Sequence, residues 1–238
     1  MDDAKRARRE GLAELAEDAV GFGGQELRLT RDLVLRPGAG MDAYDAHGST
    51  AGGLYPKPLR YYLTIMGLYL LLIALLGGFE RQFSGAQFET LFKDLRLASG
   101  KSPGEFTADM DQWYSLASVP VTAFFFGGVA FLLIRRWSPG GDKQDFQQTF
   151  TFINAYSVLG IPFGLLGIAA PALSPWLIPV SFIFMAVTFA RVGGGRWWRT
   201  PAGAWGKGAL LMLATLLALI PTSLVLLGIT VLAARYLP

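Results

Sequence analysis

The chain contains no cysteine and a single histidine among its 238 residues. Without cysteine it can form no disulfide, no thiolate metal site and no cysteine nucleophile. His47 is the only imidazole, which also excludes a multi-histidine metal site and the His-Glu-x-x-His motif of metalloproteases. These absences lead us to predict that the protein holds no metal and no cofactor.

Charged residues are scarce as well. They make up 16% of the chain, whereas soluble domains average about 25%, and the mean hydropathy is +0.39. This composition predicts a multi-pass membrane protein. The formal net charge of +3 is too small to indicate a nucleic-acid surface, so we expect no nucleic-acid partner.

Long apolar runs dominate the rest of the sequence. The first, over residues 61–78, has no charged residue, and a helix of that length is about what a bilayer core requires. The predicted fold class is an all-α membrane protein with five transmembrane helices and an amphipathic N-terminal helical region. The spans are predicted at about residues 61–78, 115–134, 150–170, 176–192 and 208–234, within a transmembrane domain over residues 61–238.

Residues 1–60 are predicted to form cytosolic or interfacial amphipathic helices. Apolar side chains recur at helical spacing over residues 2–20 and again over residues 25–36. Residues 39–53 are small and polar and predict a loop. The first helix opens with a basic cluster, for which two interpretations are open: contact with anionic lipid or a partner, or a solvated face.

Basic residues beside the spans predict the topology. They precede the first span, follow the second, and separate the fourth from the fifth, so these segments are assigned to the cytosol. The loop over residues 79–113 has more acids than bases and is assigned to the outside. The N-terminus is then cytosolic and the C-terminus external to a bacterial inner membrane. The last cytosolic loop supplies predicted interfacial anchors: Arg196, Trp197, Trp198 and Arg199.

Polar residues inside the predicted spans are uncharged, and Asn154 and Tyr156 are the most prominent. The absence of Asp, Glu, Lys and Arg from the middles of the spans argues against an ion or proton pathway. Asn154 is expected to hydrogen-bond to another helix, because an unpaired amide is costly in hydrocarbon. The polar residues serve either as bonds between helices or as a groove for a lipid headgroup.

Gly160, Gly164 and Gly167 form a stripe of small residues on the third predicted span. Residues at this spacing share one helix face, and such stripes let two helix backbones approach closely. Packing inside the protein and docking of a partner helix are both consistent with the stripe.

Asp45 and His47 are two residues apart in the predicted loop and come nearest to an acid–base pair. No serine nucleophile elbow, metal cluster or paired set of acids accompanies them. A functional pair and a purely structural one are the alternatives, and we favour the structural one. We therefore predict that the protein is not an enzyme and has no catalytic residues.

Several motifs resemble a known family. They are Leu-Val-Leu-Arg-Pro-Gly at residues 33–38, Tyr-Pro-Lys-Pro-Leu-Arg-Tyr-Tyr-Leu at 55–63, Trp-Tyr-Ser-Leu-Ala-Ser-Val-Pro at 113–120, and Phe-Thr-Phe-Ile-Asn-Ala-Tyr at 150–156 after Arg135-Arg136. This order, over residues 27–170, resembles an uncharacterised bacterial family of multi-pass membrane proteins, related in pattern to Yip-type membrane proteins.

The chain departs from that family in two ways. Many members open with a small zinc ribbon, which is impossible here without cysteine. Members also tend to carry a histidine before the third span, where this chain has Phe146-Gln147-Gln148. The resemblance implies a membrane fold and no particular activity.

Two functions are consistent with these features. The first is a non-catalytic accessory or scaffold subunit of a larger inner-membrane complex, whose partners are membrane lipids and other membrane-protein subunits. The alternative is a small lipid-handling or transport protein that uses a polar groove among spans 3–5.

Overall fold

The computed structural model describes residues 23–79, 83 and 86–237. These residues form two short 3-10 turns (Ala51–Gly53 and Pro171–Leu173) and no extended strand. Their α-helices are α1 (Gly24–Leu35), α2 (Pro37–His47), α3 (Pro58–Leu75), α4 (Ala86–Ser99), α5 (Pro103–Trp137), α6 (Asp142–Ala169), α7 (Ser174–Val192) and α8 (Pro201–Tyr236). The helix predicted over residues 2–20 lies outside the described residues.

Five of these helices are long and apolar enough to cross a membrane. They are α3, α5, α6, the Pro175–Val192 part of α7, and α8. The prediction of an all-α membrane protein with five transmembrane helices is therefore confirmed. Four helices run on through an internal proline: Pro120, Pro162, Pro179 and Pro221.

Three of the transmembrane helices, α5, α6 and α8, begin well before the predicted spans. α5 has 35 residues and α8 has 36, so each is about 50 Å long at 1.5 Å per residue, against about 30 Å for a bilayer core. The early start of α5 comes from its cap. The Ser102 hydroxyl accepts a hydrogen bond from the Glu105 N–H, and the Glu105 carboxylate accepts one from the Ser102 N–H.

The segment over residues 79–113 is not the plain loop that was predicted. It contains α4 and the first turns of α5. Hydropathy alone marks where a chain leaves the bilayer, but helix formation continues wherever a cap and an apolar face support it. Phe92 of α4 and Phe106 of α5 supply that face, since both side chains are buried.

The loop predicted over residues 39–53 is also wrong, because α2 occupies most of it. Pro37 stands in the first turn of α2, where a backbone N–H has no partner to lose. Met41 and Tyr44 share one face of α2 and are buried. The helix ends at His47 and is capped by Gly48, whose φ of +78° favours glycine.

Different helices pack over the two ends of the bundle. α1 and α2 pack against the first half of α6 and the end of α7, and we call this the α1–α2 end. α4 and the start of α5 cover the opposite end, called the α4 end, around a cluster that includes Phe79, Phe83 and Met110. Between them α5 packs along α8, and α6 contacts α3, α5 and α7.

Lys101 joins the last turn of α8 to the α4 end. Its Nζ donates to the carbonyl oxygens of Ala234 (2.8 Å) and Leu237 (2.7 Å) and to the Asp109 carboxylate (2.6 Å). A cation is favoured there because the last carbonyls of a helix have no backbone donors and carry partial negative charge.

Candidate functional site

A cavity of about 460 Å³ lies between α3, α6 and α7 at the level of the spans. The helix α6 forms its longest wall, from Tyr156 to Ile168, a distance of about 18 Å along the helix axis. The other lining residues are Met66 and Tyr69 of α3, Phe79 after α3, and Leu177 and Ser181 of α7.

The glycine stripe of α6 is part of the wall of this cavity. Gly160, Gly164 and Gly167 all line it. A Cβ added at Gly160 would meet no atom within 4 Å, so this position opens into free space. A Cβ at Gly164 would lie 2.5 Å from the hydroxyl oxygen of Tyr69. Gly164 therefore serves packing inside the protein, because the Tyr69 side chain rests against its backbone.

The polar groups of the cavity are hydroxyls. Tyr156 is hydrogen-bonded to the Ser181 side chain across α6 and α7, and Ser157 stands beside it. The Tyr69 hydroxyl has no hydrogen-bond partner within the part of the chain that the structure describes. None of the described residues that line the cavity is charged. The Asp111 carboxylate accepts a hydrogen bond at 2.6 Å from the N–H of Phe79, one of the lining residues.

Asn154 lies outside this cavity and links two helices. Its side-chain Nδ2 donates to the Pro58 carbonyl at the start of α3, at 2.9 Å. The residue is buried, and this contact is the bond between helices that the sequence predicts. Its Oδ1 atom finds no partner among the described residues.

Arg196 forms the polar centre of the α1–α2 end. Its Nε donates to the Asp45 carboxylate at 2.5 Å, and its Nη2 donates to Asp42. Both acids are on α2, so the loop after α7 is bound to α2. Burial acts to lower the pKa of Arg196, and the two carboxylates outweigh it, so the pKa lies above its usual value.

The interfacial anchors predicted around Arg196 need correction. Trp197 is 1% exposed, stacks on Phe189 with the ring centroids 5.2 Å apart, and donates from Nε1 to the Gln148 side chain at 2.9 Å. Arg196 is an ion-pair residue within the protein. Only Arg199 is exposed, and Trp198 is half-buried. Proximity in sequence to basic residues predicted lipid contact, whereas the turn after α7 directs Trp197 inward.

The Asp45 carboxylate is hydrogen-bonded to residues other than His47. It accepts from Arg196 and from the amides of Gln144 (3.1 Å) and Gln148 (3.0 Å). His47 is in the last turn of α2 and is exposed. Within residues 23–79, 83 and 86–237, no three acidic or histidine side chains are grouped to hold a metal ion.

Asp32 of α1 is a buried carboxylate that connects this helix to the segment before α3. It accepts from the Tyr55 hydroxyl at 2.7 Å and pairs with Arg31 and Arg36. Burial acts to raise the pKa of Asp32, but the hydrogen bonds from Tyr55, Arg36 and Arg31 outweigh it and hold the pKa below its usual value. Burial and then the Asp32 contact raise the pKa of Tyr55 to about 12.

Tyr69 and Ser181 are functional candidates that the sequence did not indicate. Tyr69 is one of three tyrosines in the apolar run over residues 61–78, and Ser181 is one of two hydroxyl residues in the predicted span over residues 176–192. Only their positions in the lining of the cavity distinguish them.

Comparison of the chain with protein-family models, with curated proteins and with solved structures yields no match in any of the three. The family resemblance of residues 27–170 therefore stays a prediction.

Proposed function

We propose that this protein is a non-catalytic integral membrane protein that binds a lipid in the cavity between α3, α6 and α7. The proposal rests on one observation: the cavity combines open space beside Gly160 with hydroxyl groups within the spans. Ligand sites typically pair a mostly apolar wall with a few polar groups that orient the ligand. A lipid reaches such a site directly from the bilayer.

The first test fills the cavity. We expect Gly160→Leu to reduce the lipid retained by the purified protein severalfold, because the new side chain enters free space in the cavity. Protein would be purified through repeated detergent exchange, and its bound lipids would be extracted and quantified by mass spectrometry against the amount of chain.

Gly228→Leu provides the matched control. It makes the same substitution on a transmembrane helix, α8, where a Cβ also meets no atom within 4 Å, and Gly228 does not line the cavity. It should leave the retained lipid unchanged. Equal retention in the wild type and both variants would contradict lipid binding in this cavity.

A second candidate is an accessory or scaffold subunit of a larger inner-membrane complex. The uncovered face at Gly160 favours it, because a partner helix packs closely where side chains are absent. The same pair of variants separates the candidates. Loss of a co-purifying membrane protein from Gly160→Leu, with no change in lipid, would favour the accessory subunit.

We also propose that the α1–α2 end is cytosolic in a bacterial inner membrane. Among the described residues the α4 end carries only Lys93, Arg96, Lys101 and Arg235, and cytosolic segments beside spans are enriched in Lys and Arg. The cations of the α1–α2 end are Arg28, Arg31, Arg36, Lys57, Arg60, Arg135, Arg136, Lys143, Arg191, Arg196, Arg199 and Lys207.

Reporter fusions test this orientation. A reporter active only outside the cytosol should be active when fused after Pro238 and silent when inserted at Gly140, between α5 and α6. A reporter that fluoresces only in the cytosol should give the opposite pattern. Cytosolic activity of the fusion after Pro238 would reverse the proposed topology.

A further inference from the structure

We infer that the cavity between α3, α6 and α7 takes an uncharged lipid, whose hydroxyl or carbonyl group hydrogen-bonds to Tyr69. This inference rests on the proposed lipid-binding function and narrows it to one class of ligand. It excludes the phosphate-bearing headgroups of ordinary phospholipids from this site.

The first argument for an uncharged ligand is the lack of charge in the described lining of the cavity. Among the described residues, every polar side chain that lines the cavity is a tyrosine or serine, and none is Lys, Arg, Asp or Glu. A phosphate within the span region would find no cation among these lining residues, and an unpaired charge at that depth is strongly disfavoured. An uncharged headgroup carries no such penalty.

The Tyr69 hydroxyl carries the second step. Tyr156 is already hydrogen-bonded to Ser181, whereas Tyr69 has no hydrogen-bond partner among the described residues and lines the cavity. In hydrocarbon an unsatisfied hydroxyl is costly. The Tyr69 hydroxyl lies close to Gly164 in the lining of the cavity, where a ligand oxygen can accept a hydrogen bond from its O–H.

The length of the cavity fits the apolar part of such a lipid. The wall of α6 runs for about 18 Å between Tyr156 and Ile168, which is more than half of a bilayer core of about 30 Å. Apolar residues such as Met66, Ile161 and Phe163 line it beside the glycines. Its polar groups stand within the span region, whereas phospholipid headgroups remain at the membrane surface.

The experiment compares two photoreactive lipids with identical acyl chains: a diacylglycerol and a phosphatidylglycerol, each with a diazirine and an alkyne. The full-length protein would be reconstituted in vesicles with each probe, irradiated, and its labelled peptides mapped by mass spectrometry. We expect the diacylglycerol probe to label the lining peptides of α3 and α6 severalfold more strongly. Tyr69→Phe should lower this labelling about two- to tenfold, the effect of one hydrogen bond.

Tyr236→Phe is the control for the loss of one tyrosine hydroxyl, because Tyr236 is exposed at the end of α8 and does not line the cavity. It should leave labelling unchanged. Equal labelling by both probes, abolished by Gly160→Leu, would overturn the inference while leaving lipid binding intact. A diacylglycerol preference that Tyr69→Phe does not alter would overturn the role of Tyr69. No cavity labelling by either probe would contradict the proposed function itself.

Discussion

Trp197→Ala is expected to lower the free energy of unfolding by about 3–5 kcal/mol, the usual cost of deleting a buried tryptophan. Its indole is 1% exposed and packs against Phe189 and Phe152. The substitution also leaves the buried Gln148 amide oxygen without its donor, and an orphaned buried acceptor adds about 1–3 kcal/mol. Reversible SDS titration in mixed micelles would measure the loss.

Two further variants separate the causes of this effect. Trp197→Phe keeps an aromatic ring but removes the indole N–H, so its loss of stability should be smaller than that of Trp197→Ala. Trp205→Ala is the matched control, because that side chain is 58% exposed and exposed substitutions change stability by about 0.5 kcal/mol or less. If Trp197→Ala and Trp205→Ala were equally destabilising, Trp197 would be at the lipid interface after all.

Arg196→Ala is expected to release α2 from the bundle, with a loss of about 1–3 kcal/mol for its charge-assisted hydrogen bonds. The Arg196 side chain is 17% exposed and that of Asp45 is 22% exposed, so this pair is poorly screened. The Asp42 side chain is 72% exposed and contributes less. Hydrogen exchange should show faster exchange of the α2 amides, Pro37–His47, while those of α5 and α8 stay protected.

Arg199→Ala is the control for the loss of one arginine from the same loop, since Arg199 is exposed. A double-mutant cycle between Arg196→Ala and Asp45→Ala should give a coupling energy larger than the cycle with Asp42→Ala. Faster exchange of α2 to the same extent in Arg199→Ala would show that general loop charge, and not the pairing of Arg196, holds α2.

The sequence predicts part of the candidate site. It indicates Gly160, Gly164 and Gly167 as a surface for close approach, and Tyr156 as a polar group inside a span. It leaves open whether that surface meets a neighbour within the protein. The structure shows that the positions of the stripe differ in this respect. Gly164 touches Tyr69 within the protein, whereas Gly160 opens into the cavity.

The number and class of the spans follow from the sequence alone. A bilayer imposes one length and one polarity on any crossing helix, so uncharged runs such as residues 61–78 are recognisable without knowledge of their neighbours. The need of Asn154 for a partner is likewise a local property, because an amide in hydrocarbon must be paired, and it bonds to Pro58.

Contacts between segments that are far apart in the sequence are visible only in the tertiary structure. Trp197 and Trp205 lie in similar basic surroundings in sequence, yet one is buried and the other exposed. The difference arises because the turn after α7 directs Trp197 toward Gln148, 49 residues earlier. Arg196 and Asp45 are 151 residues apart. Pairings at such separations depend on how the helices pack, a property that hydropathy and local spacing do not encode.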